Sequence, residues 1–459
     1  MNKTFTTEIK LLSHASILIN AKGLKILTDP WFFGTAFNDG WDLSPEPDLL
    51  NIEELIADVD LIWISHEHPD HLHFPTLKWV SKIVKKDVEI YFQQTNSKKV
   101  FEALTKVGFR KFKSMKHKNK YKISSEVALA CYAHRHLDSA LAVFIDSNFW
   151  LLNINDTELT KNDTSIIRKK WGSPSVVYNQ FSIAGSEGIE SLLSADADHV
   201  LNKMTDHHRE LNTKLTVPFA SYVRFGRSDN NYMNKYANSS MSAKKKFISE
   251  DQEMCLQSYN SSSLKWKNID ELPINLNEVN LQSSKDLTLN IASKNIDNFL
   301  YKSVSREVVK DIIEQRIKNW KKNTNIFIWS FFDLKPITFC VKDWDNEIWV
   351  CDLNNQSFHI SKDLSSSDIE ISSQPLMQAF EMPFGIQTLG VSGRYKFNDT
   401  CLKIPKSWKM IRIISSLNNA NIHLSLSGLF KLATLRWIWQ RKEGLFSQII
   451  QQINRFINK

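Results

Sequence analysis

A mostly apolar run, Asp60-Leu61-Ile62-Trp63-Ile64-Ser65, leads straight into His66-Glu67-His68-Pro69-Asp70-His71. Apolar on both faces, the run reads as a strand covered from both sides. That confines the chain to a layered architecture with its sheets inside. Three imidazoles and a carboxylate leave the end of this strand within one turn. Imidazole suits zinc, iron, copper and nickel, and carboxylates suit harder ions. Alternation along the loop can aim His66 and His68 at one metal and Asp70 and His71 at a second. Two such ions about 3.5–4 Å apart can hold an activated oxygen between them.

The 459 residues exceed the usual size of one domain, so two are expected. No apolar stretch approaches the roughly 20 residues that cross a bilayer. The first eight residues lack the apolar core of a signal peptide, and a cytoplasmic protein is expected. The five cysteines, at 131, 255, 340, 351 and 401, are scattered without a C-x-x-C pair. They supply neither a cysteine zinc site nor an iron–sulfur cluster. The net charge of +8 sits in local runs such as Lys111 to Lys122 and Lys244-Lys245-Lys246. No nucleic-acid motif accompanies these runs, so they read as solvated faces and no nucleic-acid partner is expected.

The first 30 residues read as strands folding back at Lys22-Gly23, the last of them ending at Asp29-Pro30-Trp31. Short helices are expected near Glu53 to Ile56, Phe74 to Val84 and Ser97 to Val107. Strands are expected at Val88 to Phe92, Val127 to Tyr132, Ala140 to Ile145, Trp150 to Ile154, Val176 to Tyr178 and Leu215 to Phe219, with a long helix near Ser194 to Thr213. Strands alternating with helices predict an α/β layered fold. Between about Ser228 and Lys294 Asn, Ser and Lys dominate, which predicts a linker or lid over 236–294 after a first domain over 1–235. The remainder, 295–459, predicts a smaller α+β region: a helix from Ser305 to Trp320, strands at Ile326 to Phe331, Ile337 to Val341 and Glu347 to Cys351, and a basic amphipathic tail. In that tail Leu445, Phe446, Ile449, Ile450, Ile453, Phe456 and Ile457 recur at helical spacing.

A two-metal centre needs ligands from elsewhere. His134 and His136 follow the strand ending at Tyr132, and one of them would complete the first ion. Asp156 follows the strand ending at Ile154; its two oxygens can bridge both ions. His14 and Asp29 lie near strand ends, where each can orient a ligand from behind. His73 is expected to start a helix. After His208 only His359 and His423 remain, both in the second region. A sixth protein ligand is therefore not visible, and an open position is what catalysis needs.

The spacing of His66, His68, Asp70 and His71 is the H-x-H-x-D-H signature, and the chain resembles the metallo-β-lactamase fold. The closer resemblance is to the metallo-β-lactamase-like domain of the CMP-N-acetylneuraminate hydroxylase family. It is carried by Ser13-His14-Ala15-Ser16, Leu27-Thr28-Asp29-Pro30-Trp31, Gly40-Trp41, Ile64 to Leu72, Pro75-Thr76-Leu77, Leu152-Asn153 with Asp156, and Pro218-Phe219-Ala220 with Tyr222. The resemblance covers roughly residues 8–235. It implies an αββα sandwich, to be followed by the smaller α+β region read above, and it favours His134 over His136 as the third histidine. Those hydroxylases carry an N-terminal Rieske domain with paired Cys and His ligands; no such ligands stand in this sequence, and a protein without that domain is expected.

The implied activity is that of a non-haem diiron oxygenase or hydroxylase acting on a small polar substrate such as a sugar, nucleotide sugar or amino acid. His66, His68 and His134 would hold one iron, Asp70, His71 and bridging Asp156 the other, with Asp70 the catalytic group. Electrons would then come from an external donor such as a ferredoxin. The tract Tyr178 to Ser182 departs from that family, so Asn179, with Tyr222, is expected to line a different substrate pocket. More distant relatives of the fold are hydrolases, among them a lactonase and a phospholipase D. The alternative is therefore a zinc- or manganese-dependent hydrolase of a lactone, amide or phosphodiester. A non-catalytic binding module is the third possibility.

Overall fold

A computed structural model of the protein describes residues 7–95, 97–134, 138–145, 149–254, 257, 263–266, 274–275, 303–323, 334–362, 365–398 and 404–419. His136, the strand expected over 326–331 and the amphipathic tail lie outside them.

Strands β1 (Thr7–Ser13), β2 (Ser16–Ala21) and β3 (Leu24–Thr28) form an antiparallel meander, followed by the short hairpin of β4 (Thr35–Ala36) and β5 (Trp41–Leu43). Then come α1 (Leu49–Ile56), β6 (Leu61–Ile64), α2 (Phe74–Ile83), β7 (Glu89–Gln93), α3 (Lys99–Lys106) and β8 (Lys111–Met115). β6, β7 and β8 extend the meander in parallel from β3, as short helical crossovers require. The chain continues through β9 (Lys120–Lys122), β10 (Val127–His134), β11 (Asp138–Ile145), β12 (Phe149–Asn155), α4 (Lys161–Trp171), β13 (Val176–Gln180), α5 (Leu193–Leu211), β14 (Leu215–Phe219), β15 (Val223–Phe225), α6 (Ser240–Ser249), β16 (Ser263–Trp266) and β17 (Ile274–Asn275). β9 to β14 make a second sheet in sequential order, and β15 pairs with β5.

The two large sheets pack face to face. Ile9, Leu11, Ile17, Ile19 and Trp63 of one meet Leu129, Leu141, Leu151, Tyr178 and Val217 of the other. Helices cover the outer faces. Ile62, Ile64, Ile90 and Phe92 pack on Ile52, Ile56, Leu77 and Val80, while Tyr132, Trp150 and Leu152 pack near Ile167 and Leu211. β6 shows why its sequence lacks alternation: Leu61 and Trp63 face the other sheet, and Ile62 and Ile64 face the helices. The polar stretch after 235 is partly built in. α6 packs Ala243 and Phe247 against Leu201 and Met204, and β16 extends the first sheet beside β1. Among the described residues no helix is long and apolar enough to cross a membrane.

The smaller α+β domain follows: α7 (Arg306–Asn323), β18 (Ile337–Val341), β19 (Glu347–Asp352), β20 (Ser357–Ile360), β21 (Ile369–Ile371), α8 (Ser373–Glu381), α9 (Gly385–Ser392), β22 (Tyr395–Phe397) and α10 (Lys406–Asn419). Its five strands form one sheet. Val309, Ile313, Ile317 and Trp320 line one stripe of α7 and share a core with Phe339, Phe358 and Trp408.

The two domains are joined by buried polar contacts. Arg394, wholly buried, donates to both carboxylate oxygens of Asp229 and to the Asn38 carbonyl. Asn230 Nδ2 donates to the carbonyls of Gly40 (2.8 Å) and Ser392 (2.7 Å), and the indole Nε1 of Trp41 donates to the Val391 carbonyl. Phe397 N donates to the Gly188 carbonyl. Gly188 is needed there: its φ is +79°, and a Cβ would sit 2.5 Å from the Tyr395 ring.

Candidate metal centre

Five strand ends converge at one edge of the sandwich. The β1–β2 turn brings His14, the end of β3 brings Asp29, the loop after β6 brings His66 to His71, the start of β11 brings Asp138, and the end of β12 brings Asp156. The loop after β6 closes into a helical turn, with the amides of His71 and Leu72 both donating to the His68 carbonyl. This turn gathers three imidazoles: the His66 ring centroid lies 4.5 Å from that of His68, edge-on, and 4.1 Å from that of His71, tilted. The loop root is pinned at Ser65, whose amide donates to Asp29 Oδ1 (2.7 Å) and whose carbonyl accepts from Ser139 Oγ (2.6 Å). Asp156 is presented by a bulge. Asn155 sits at φ +47° with its amide bonded to Asn153 Oδ1, and the register with β13 shifts there.

The donor atoms form three overlapping groups, each within 4.8 Å: His66, His68 and Asp138; His66, His71 and Asp156; His14, Asp70 and His71. His66 Nε2 lies 2.7 Å from His68 Nδ1, 3.6 Å from Asp156 Oδ2 and 3.8 Å from Asp138 Oδ1. His71 Nε2 lies 3.2 Å from Asp70 Oδ2 and 3.4 Å from Asp156 Oδ2. Asp29, in a left-handed conformation (φ +33°), places Oδ2 2.9 Å from His71 Nδ1, which leaves Nε2 as the atom aimed at the carboxylates.

The fit to a cation rests on two observations. His71 Nε2, Asp70 Oδ1 and Asp156 Oδ1 are buried with no hydrogen-bond partner, although oppositely polarised atoms lie within 3.2–3.4 Å of the first. Such proximity without hydrogen-bond geometry suits lone pairs directed at a common point, and these separations match adjacent corners of a shell with bonds about 2.1 Å long. The second observation is charge. Burial would raise the carboxyls of Asp70 and Asp156, but His71, with His14 for Asp70 and His66 for Asp156, outweighs it and holds both below the usual carboxylate range. Burial would lower His71, yet Asp70, Asp156 and Asp29 together pull it well above the ordinary imidazole value. His66, dominated by burial, is pushed well below that value. Two buried carboxylates, Asp29 and Asp70, and the partly exposed Asp156 thus surround His71, a balance that a divalent cation satisfies. The donors are imidazole nitrogens and carboxylate oxygens alone.

The other expected residues are placed as follows. His134 shares a strand face with Tyr132, on the α4 side. Its Nδ1 lies 3.4 Å from Asp163 Oδ2, and it joins none of the three groups; its Nε2 is buried with no hydrogen-bond partner. Burial would raise the Asp163 carboxyl, but His134, Thr160 and Tyr132 hold it well below the usual range. Asn179 bonds His207 Nδ1 (3.0 Å) beneath the second sheet, and the Tyr222 hydroxyl donates to the Pro218 carbonyl while its ring packs on Phe181. His73 caps α2 by accepting from Thr76 N. Asp138 was not among the expected ligands; its one signal is its place at the start of an apolar strand, just after two histidines. An aromatic wall stands beside these donors. Trp31 and Trp41 stand 5.6 and 6.1 Å from the His14 ring, and Phe37 stands 6.1 Å from His68.

Residues 8–160 match the model of a β-lactamase superfamily domain. Among curated proteins, the chain is 42% identical over 103 residues to the cytidine monophosphate-N-acetylneuraminic acid hydroxylase of Asterias rubens, a match spanning 22% of this chain and 15% of that protein. It is 40% identical over 97 residues to the same-named protein of Danio rerio, covering 21% of this chain and 16% of that one. Among solved structures, a metallo hydrolase of Ignicoccus hospitalis is 15% identical with a TM-score of 0.42, over 57% of this chain and 98% of that one. The diiron β-hydroxylase CmlA of Streptomyces venezuelae is 11% identical with a TM-score of 0.40, over 57% and 54%. The chain therefore contains a metallo-β-lactamase superfamily domain, homologous over about a fifth of its length to the CMP-N-acetylneuraminic acid hydroxylases.

Proposed function

We propose that this protein is a metal-dependent oxygenase, a hydroxylase of a small polar substrate such as a sugar, nucleotide sugar or amino acid. The observation that carries this reading is the 42% identity to a protein named a hydroxylase. A donor set of imidazole and carboxylate, with no thiolate, supports it by suiting iron. His66, His68, Asp70, His71 and Asp156 would hold two iron ions, which supply the oxygen chemistry when bound.

The chain's own residues do the rest. Asp29 fixes the proton of His71 on Nδ1 and keeps Nε2 free for its task. Asp70 is the catalytic candidate: Oδ2 faces His14 and His71, and Oδ1, buried with no partner, can hold a proton of a bound water or a substrate hydroxyl. Trp31, Phe37 and Trp41 exclude water from one side. Electrons would come from a separate donor of the ferredoxin type.

The superfamily domain itself favours a second reading, hydrolysis of a lactone, amide or phosphodiester with zinc or manganese. The two separate in one experiment. Protein reconstituted anaerobically with ferrous ion and a reductant is given oxygen with and without candidate sugar, nucleotide-sugar and amino-acid substrates. Substrate-dependent oxygen uptake is expected. Oxygen-independent turnover of a lactone or phosphodiester by the zinc form, with no uptake by the iron form, overturns the oxygenase reading.

A further inference from the structure

Sequence spacing leaves the second metal without a late-strand ligand and the first dependent on a third histidine. The structure answers both needs with other residues. His14 lies in the β1–β2 turn, 1% exposed, with Nε2 3.2 Å from Asp70 Oδ2; the same oxygen lies 3.2 Å from His71 Nε2. Nδ1 of His14 is buried with no hydrogen-bond partner, and Nε2 faces only the Asp70 carboxylate, outside good hydrogen-bond geometry. Packing sets the ring's direction. Trp31 and Trp41 hold it edge-on at 69° and 67°, and Ala220 N fixes its backbone by donating to the His14 carbonyl at 2.9 Å. On the opposite side Asp138 Oδ1 lies 3.8 Å from His66 Nε2, and His134 is turned to Asp163.

We infer that the centre is built from two His-His-Asp triads, His14–His71–Asp70 and His66–His68–Asp138, joined by Asp156. Each ion then has two imidazoles, one carboxylate of its own and one oxygen of the shared carboxylate, with positions left open. Two histidines with carboxylate oxygens is a donor set that suits non-haem iron. The inference thereby deepens the oxygenase reading and, for the identity of the metal, rests on it. It also assigns His14 and Asp138 as ligands and leaves His134 out.

The test uses the full chain, stripped with a chelator and titrated anaerobically with cobalt(II), read by metal content and by the visible d–d absorption of the bound ion. Wild type is expected to bind two cobalt ions per chain. His14→Ala and His14→Gln are expected to bind one, with the d–d band of the remaining ion preserved. Asp138→Ala loses the other ion. His134→Gln keeps both. Circular dichroism of the metal-free variants checks folding, and His14→Gln, the more conservative change, decides the matter where His14→Ala does not fold. Two cobalt ions with an unchanged spectrum in His14→Gln, or one ion in His134→Gln, overturns the triads. Cobalt binding is independent of oxygen chemistry, so the two ideas fail separately. One ion lost in each of the His14 and Asp138 variants, without oxygen uptake by the iron form, sinks the oxygenase reading and leaves the triads. Wild type that binds no cobalt sinks both.

Discussion

Replacing Asp29 with Asn changes one proton-bearing contact and almost nothing else. Asp29 is wholly buried, accepts from Ser65 N at 2.7 Å and faces His71 Nδ1 at 2.9 Å. Asn tolerates the left-handed backbone at φ +33°, so the turn survives. The amide oxygen can keep the Ser65 bond. The amide nitrogen then faces His71 Nδ1, and two N–H donors meet unless the imidazole moves its proton to Nε2. Nε2 is the atom aimed at Asp70 and Asp156, and a protonated nitrogen cannot ligate. Loss of such an orienting partner typically weakens metal binding 10–100-fold, about 1.4–2.8 kcal/mol. The metal-free protein behaves differently. Burial raises the Asp29 carboxyl above its ordinary value despite His71 and Ser65, so the charged form is a cost to the empty fold at neutral pH. A neutral isostere removes that cost, and the metal-free variant is expected to be as stable as wild type or slightly more so. Chelator-competition titration with cobalt or zinc measures the first effect and urea unfolding of the stripped protein the second. Metal affinity within twofold of wild type would show that Asp29 does not set the tautomer of His71. Collapse of the metal-free fold would show that its role is structural.

Three further outcomes follow from the domain junction. Arg394→Ala takes the main partner from the largely enclosed Asp229 carboxylate, leaving only the more distant charge of Arg227, and is expected to cost about 2–4 kcal/mol in urea unfolding, with Arg394→Met plus Asp229→Leu recovering much of it; a loss under about 1 kcal/mol would sink the argument. Glu190 is held down to about 2 by Lys235 first and Lys396 next, so its contribution is complete above the unfolded value of 4.5 and fades as pH falls towards 2. Glu190→Gln should flatten that part of the acid limb by lowering the neutral plateau towards the acid value, by less than about 1 kcal/mol because the pair lies near the surface; an acid limb identical to wild type counts against it. Gly188→Ala places a Cβ 2.5 Å from the Tyr395 ring at a φ of +79° and should lower the melting temperature by an amount equivalent to about 1–3 kcal/mol. An unchanged melting temperature would mean that the junction yields freely.

The parts of the site that can be read from sequence are those that local geometry alone determines. His66, His68, Asp70 and His71 lie within one turn after a strand whose burial is written in its apolar run, so their convergence needs no knowledge of the second sheet. Asp29 and Asp156 are legible for a related reason: each follows an apolar strand that must end at the edge where the first loop emerges. His134 and Asp138 show where this reasoning stops. They face each other as the last pair of the β10–β11 hairpin, so a correct strand assignment makes both equally plausible. What separates them is the side of the sheet. Cys131 and Ala133 pack into the core between the sheets, which puts Tyr132 and His134 towards α4, while Asp138 at the strand's first residue reaches round the edge to His66. Alternation can be read from sequence; which alternate set is covered by a helix cannot, because that depends on where α4 returns in the chain. The junction is less legible still. Arg394 meets Asp229 and Asn38 across 165 and 356 positions, and no periodicity marks an ion pair made between separately folded cores. Yet it is this contact, with Trp41 bonded to the Val391 carbonyl, that ties the aromatic wall beside His14 to the second domain. The residues that chemistry makes conspicuous are thus local, and those that hold them in place are spread along the whole chain.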